Sequence, residues 1–193
     1  YDADGNPLCP RENMLGIGRI LGKAAGRIED KACPETLSVI TKEVCIPLEN
    51  KNFVAAAKAG LTCERPEHAR DRAGFVKKTE VGIAEIGGLK IALMPGELFP
   101  ELAVGGFLSD FDCANPGIKP EGTVYQALGI PRGKPFLVFG LTNDEIGYIL
   151  PENDFFLDRD NPYGARAIDG NGRRHYEETN SVGPKTAGLL LAA

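Results

Sequence analysis

Residues 87–101 read GGLKIALMPGELFPE. An apolar run from Leu89 to Met94 is broken by Pro95-Gly96 and followed at once by Glu97. The run is the returning arm of a hairpin. Residues 75–86 alternate around Val76, Val81, Ile83 and Ile86, and Gly87-Gly88 supplies the two-residue turn between the arms. The outgoing arm carries Lys77, Lys78, Glu80 and Glu85, so one of its faces is expected to be wet, whereas the apolar returning arm is expected to lie deeper. A helix is expected over 97–111, imperfect at Pro100 and at Gly105-Gly106. Glu97 then sits where a strand ends and a helix begins, the place at which open α/β sheets keep their chemistry. Two readings of it stand side by side: a carboxylate stabilised by a helix N-terminus, or a metal ligand kept ionised by the same amides.

Further along, residues 136–148, FLVFGLTNDEIGY, repeat the layout. A buried strand over 136–141 runs into a polar turn, Asn143-Asp144-Glu145, then Gly147 and one isolated aromatic, Tyr148. Glu97 and Tyr148 are expected to share one site. Around these two units, a helix over 12–28 places Met14, Ile17, Leu21, Ala24, Ala25 and Ile28 on one face expected to be buried, with Gly16, Gly18, Gly22 and Gly26 spaced for close contact with a neighbour. A β-branched strand over 37–48 ends at Pro47, and an alanine-rich helix follows over 52–60. Residues 64–72 read as a charged, solvent-facing helical segment, 115–135 as a Pro/Gly-rich loop, and 157–174 as a surface insertion or flap. Order resumes over 175–193, where the closing GLLLAA begins a helix. Strands interleaved with helices predict an α/β fold, or a mixed α+β one, with a central β-sheet and flanking helices. Neither repeats nor a linker divide the chain, so residues 1–193 are expected to be one domain or part of one.

The 193 residues suffice for one cored domain, and 42% hydrophobic with 25% charged residues is ordinary globular composition. With 22 basic against 27 acidic residues, a formal charge of −5 and no Lys/Arg-rich run, a nucleic-acid surface is not expected. No apolar run approaches the ~18 residues of a membrane span. The five cysteines, Cys9, Cys33, Cys45, Cys63 and Cys113, contain no CxxC pair. Cys9 and Cys33, each beside a proline, either pair in an exported protein or belong with buried thiols. His68 and His175 lie in charged runs and are expected at the surface. Without an HxH or HExxH pair the chain does not complete a four-ligand zinc shell, and it has neither GxSxG nor a phosphate-cradling loop. The start at Tyr1 has no initiator methionine and no signal-peptide pattern, so the chain is expected to be a fragment or a processed product.

Three segments, MPGELFPELA, FGLTNDEIGYILPENDF and HYEETNSVGPKTA, resemble in this order the neutral/alkaline non-lysosomal ceramidases; MLGIGRILGKAAGRI is similar to the helix after that family's nucleophile loop. The resemblance covers most of the chain and implies a zinc-dependent hydrolysis of the amide of N-acylsphingosine. The family's Gly-Glu glutamate falls on Glu97 and its Asn-x-x-x-x-Tyr tyrosine on Tyr148, both metal ligands. The tyrosine that assists at the scissile carbonyl falls on Tyr176. The serine and two histidine ligands would lie upstream, making this the C-terminal portion of a catalytic domain that is secreted or periplasmic. Partners implied are a ceramide-like lipid amide, the upstream part of the same protein and peripheral contact with a membrane. The alternatives are a non-catalytic lipid- or partner-binding domain that keeps the fold, or a metal hydrolase of another amide or ester.

Overall fold

A computed structural model describes residues 9–29, 32–62, 67–68, 74–109, 112–131 and 133–193. In chain order these form α1 (Pro10–Ala25), β1 (Leu37–Pro47), α2 (Lys51–Lys58), β2 (Glu67–His68), β3 (Phe75–Ile86), β4 (Leu89–Leu93), β5 (Glu97–Leu98), α3 (Pro100–Val104) and α4 (Val124–Ala127). They continue with β6 (Leu137–Phe139), β7 (Tyr148–Ile149), β8 (Ala167–Ile168), β9 (Arg174–His175) and α5 (Thr186–Leu191), with 3-10 turns at Glu152–Asp154 and Glu177–Asn180. The chain divides into two units, Tyr1–Pro34 and Glu35–Ala193.

The first unit contains α1, a helix made by local signals. The Cys9 thiol accepts from the Glu12 amide while the Glu12 carboxylate accepts from the Cys9 amide, and Pro10 opens the helix. The expected apolar stripe is there, but it buries nothing: Met14, Ile17 and Leu21 are all exposed. A Cβ on Gly16, Gly18 or Gly22 would meet no atom within 4 Å, so the close contact expected of these glycines is absent among the described residues. Periodicity specifies a face; it does not supply what covers it.

The second unit is a mixed α/β fold whose sheet runs β1-β3-β4-β6, with β2 also paired to β3. Two left-handed glycines, Gly87 (φ 58°) and Gly88 (φ 85°), close the β3–β4 hairpin, as the type I′ geometry requires. β1 and β4 pair antiparallel to β3, while β6 joins β4 in parallel. One register row is Ile40, Ile83, Ala92 and Val138. The face bearing that row meets α3, α4 and α5, where Val44, Ile46, Ala92, Met94, Leu102, Val124, Ala187 and Leu190 form the core. Each such large side chain contributes about 1.5–3 kcal/mol by leaving water.

Several local expectations change. The helix expected over 97–111 shrinks to α3, because the backbone of Glu97 and Leu98 is used in a strand pair and Phe99-Pro100 then resets the chain. The 115–135 loop contains α4, opened by a capping box between Thr123 and Gln126. β6 was expected to be buried, yet Leu137 and Phe139 are exposed; only Val138 turns toward the core. Within 64–72, Glu67 and His68 pair as a strand rather than a helix, and the rest of that segment lies outside the described residues. No described helix is long and apolar enough to cross a membrane.

Candidate functional site

Three backbone segments approach one another at points where only glycine fits. A Cβ on Gly96 would lie 2.3 Å from the Gly147 carbonyl oxygen, and a Cβ on Gly147 (φ 85°) would lie 1.7 Å from the Asn180 carbonyl oxygen. The residues next to these contacts are Glu97, Tyr148 and the turn that begins at Tyr176. The Glu97 amide donates to Gly147 O (2.9 Å) and the Phe99 amide to Ile149 O (3.0 Å), which makes β5 and β7 a parallel pair with Glu97 opposite Tyr148. Glu97 therefore ends in a strand ladder, not at a helix N-terminus, and its side chain is exposed. The bland helix-cap reading of this carboxylate is thereby corrected.

The loop that delivers Tyr148 is held at several points. Thr142 donates through both its amide (3.0 Å) and its hydroxyl (2.9 Å) to Met94 O. The Asp144 carboxylate accepts from the Thr79 hydroxyl at 2.7 Å and pairs with Lys77 at 3.5 Å. Glu145 accepts from the Gly147 amide. Leu141 (φ 57°) and Asn143 (φ 65°) are both left-handed; for leucine, a bulky side chain, that conformation is strained.

Tyr176 precedes the 3-10 turn Glu177–Asn180, and its carbonyl accepts from Thr179. Asn50, fully buried, donates its side-chain amide to the carbonyls of Glu178, Thr179 and Ser181, fixing the far end of the turn. The Tyr148 and Tyr176 rings meet edge to face, centroids 6.0 Å apart at 86°. The Tyr148 phenol is pushed up to about 12, first by the Tyr176 hydroxyl beside it, then by burial and by the negative charge of Glu97. Glu97, Tyr148 and Tyr176, separated by as many as 79 positions in sequence, thus form one partly exposed cluster.

Behind Tyr176 lies a second cluster that sequence reasoning missed. His175, expected at the surface, is 6% exposed. Its Nδ1 is 2.9 Å from Glu178 Oε1 and its Nε2 is 3.2 Å from Asp169 Oδ2. Asp169 also accepts from the Arg173 amide and from Arg173 Nε, and the Arg173 guanidinium pairs with Asp154. Burial pushes the Asp169 carboxyl up, but bonds from the Arg173 amide, His175 and the Arg173 side chain outweigh it and hold the group down to about 2. Burial likewise favours the neutral His175 ring, and the hydrogen bonds to Asp169 and Glu178 reverse that, raising it above an ordinary histidine. The one available sequence signal was Asp169-Gly170-Asn171-Gly172, a tight turn whose aspartate accepts the amides of Asn171 and Arg173.

For a metal, this site offers the Glu97 carboxylate and the Tyr148 phenol, two oxygen donors in register. Among the described residues no group of three His, Cys, Asp or Glu side chains is placed to hold an ion. His175 is committed to two carboxylates. Cys9 and Cys33 are unbridged and exposed, so neither the pairing nor the burial expected of them is found. No family model, curated protein or solved structure matches the chain.

Proposed function

We propose that this chain carries part of the site of a zinc-dependent amide hydrolase resembling the neutral ceramidases, which splits an N-acylsphingosine into sphingosine and a fatty acid. The supporting observation is the register pairing of Glu97 with Tyr148, with the Tyr176 phenol set against Tyr148. The two donors fit half of a tetrahedral zinc shell. When bound, zinc supplies a Lewis acid and lowers the pKa of a bound water to about 7.

The chain's own residues have distinct tasks in this reading. Glu97 and Tyr148 would hold the ion. Tyr148 would bind as the phenolate, giving its proton to solvent; in the free protein the Tyr176 hydroxyl first, then burial and the charge of Glu97, keep the phenol protonated. Tyr176, 52% exposed, can reach a bound substrate and donate its hydroxyl proton in a hydrogen bond to the carbonyl oxygen as negative charge develops there. In the net reaction the scissile C–N bond would break, the hydroxyl of one water would end on the acyl carbon and its other proton on the amine. The other two ligands and the nucleophile belong to the upstream portion that the resemblance implies.

The test is zinc content and hydrolysis of N-acylsphingosine by the intact protein, wild type and Glu97→Gln. The reading expects zinc in the wild type and loss of both metal and turnover in the variant. A zinc-free wild type, or unchanged metal in Glu97→Gln, sinks it. A second reading, a non-catalytic lipid-binding domain with this fold, is favoured by the exposed Glu97 and the two-donor set; it predicts retention of the lipid without turnover.

A further inference from the structure

We propose that His175, clamped between Asp169 and Glu178, is a positioning residue that sets Tyr176 against Tyr148. The proposal rests on the hydrolase reading only in treating Tyr176 as functional; the clamp itself is independent of any metal.

Both ring nitrogens of His175 face carboxylate oxygens. Only the imidazolium has an N–H on each side, so it alone donates to both; the neutral ring would turn a lone pair toward one carboxylate. The two anchors come from opposite sides. Asp169 follows β8, and Glu178 lies in the 3-10 turn after Tyr176. Through His175 the β8–β9 hairpin is thus tied to the turn, and the single residue between tie and turn is Tyr176. Glu178 Oε1 also accepts from the Phe156 amide at 2.9 Å, and the Phe156 ring lies 5.3 Å from the imidazole, so the clamp is braced from the 150s segment as well.

The charged groups around the ring are Asp169, Glu178, Arg173 and, one step further, Asp154. Three carboxylates face two cations, and Glu178 Oε2 is buried with no hydrogen-bond partner among the described residues. Loss of the His175 proton would leave this pocket with three anions and the Arg173 cation alone. Asp169 and Glu178 would then repel across the ring, and the turn beginning at Tyr176 would shift away from Tyr148. Asn50 would still hold the far end of that turn, so the movement is confined to its Tyr176 end.

The experiment is an NMR titration of this chain, with labelled tyrosine and histidine rings, from pH 6 to pH 10 on the order of the ordinary histidine and phenol values that bracket it. In the wild type, the His175 signal is expected to titrate above an exposed histidine. The Tyr148 and Tyr176 ring signals should move with the same midpoint and their mutual ring contact should weaken, while Tyr125 and Tyr163 stay still. In His175→Gln, which keeps one donor, the Tyr148–Tyr176 contact should be weakened at every pH and its pH dependence gone. Tyr148 and Tyr176 signals that stay flat across the His175 titration would overturn the proposal, as would an undiminished ring contact in His175→Gln. If that variant does not fold, the wild-type titration decides alone. Failure of zinc to bind at Glu97 and Tyr148 would remove the hydrolase reading and leave this result untouched.

Discussion

Two acidic clusters lie on either side of Tyr176, and they are built in opposite ways. On one side, Glu97 and Tyr148 are held by backbone: glycine contacts and a two-residue parallel ladder bring them together, leaving the Glu97 carboxylate to solvent or ligand and the Tyr148 hydroxyl beside that of Tyr176. On the other, Asp154, Asp169, Arg173, His175 and Glu178 hold one another through side chains in the interior. The first cluster leaves the Glu97 carboxylate open, which costs stability little because water reaches it. The second is buried and tolerates loss poorly, since an uncompensated buried charge is expensive. The carboxylate of Glu97 is therefore available for function because backbone, rather than other side chains, positions it.

The sharpest way to break this contrast is His175→Leu. It leaves Asp169 and Glu178 buried against Arg173 alone, and a loss of about 3–5 kcal/mol is expected in urea unfolding. A loss below 1 kcal/mol would mean the cluster is not a matched set. On the other side, Gly147→Ala forces a Cβ against the Asn180 carbonyl at a left-handed φ, with an expected cost of about 3 kcal/mol and a lost Tyr148–Tyr176 ring contact. Stability close to wild type there would show that the glycine approach does not build the site.

How far these elements could be read in advance follows from the same distinction. The β3–β4 hairpin, α2 and β1 were legible because alternation, Gly87-Gly88 and Pro47 are local signals. Glu97 and Tyr148 were expected to share one site; their pairing as neighbours in a strand register was not read, and the helix expected from Glu97 onward does not form there. What stayed hidden was tertiary. Gly96 read as the break after an apolar run and Gly147 as a glycine beyond a polar turn, because a close backbone approach leaves no trace in the residues flanking it. His175 read as a surface residue because its neighbours Arg173 and Arg174 are charged; its partners Glu178 and Asp169 lie three and six positions away in two separate turns, and nothing in the sequence aims both carboxylates at the ring. α1 failed differently: its stripe was read correctly, and its burial was not.

Smaller effects refine the comparison. Asn50→Ala removes the donor to the carbonyls of Glu178, Thr179 and Ser181 and the side-chain cap of α2, and is expected to cost about 2 kcal/mol by thermal or urea unfolding, loosening Tyr176 without removing a charge from either cluster. pH offers a milder probe. Because the folded state raises the His175 value, the contribution of the clamp is complete below an unfolded histidine's pKa of about 6.5 and is lost as pH climbs through the higher folded value. Unfolding free energy should thus decline on the alkaline side in the wild type and lose that slope in His175→Gln. The smallest effect belongs to the exposed carboxylate: Glu97→Gln should change stability by less than about 0.5 kcal/mol.

The central claim, that Glu97 and Tyr148 form one cation site, is tested most directly by tyrosine ultraviolet difference spectra on adding excess Zn²⁺ near pH 8, where a phenol of pKa about 12 is protonated in the free protein. The chain has no tryptophan, so the phenolate band is read without interference. Zinc is predicted to generate a single phenolate in the wild type, much less in Glu97→Gln and none in Tyr148→Phe. No phenolate at saturating zinc, or an equal signal from Tyr148→Phe, would contradict the account.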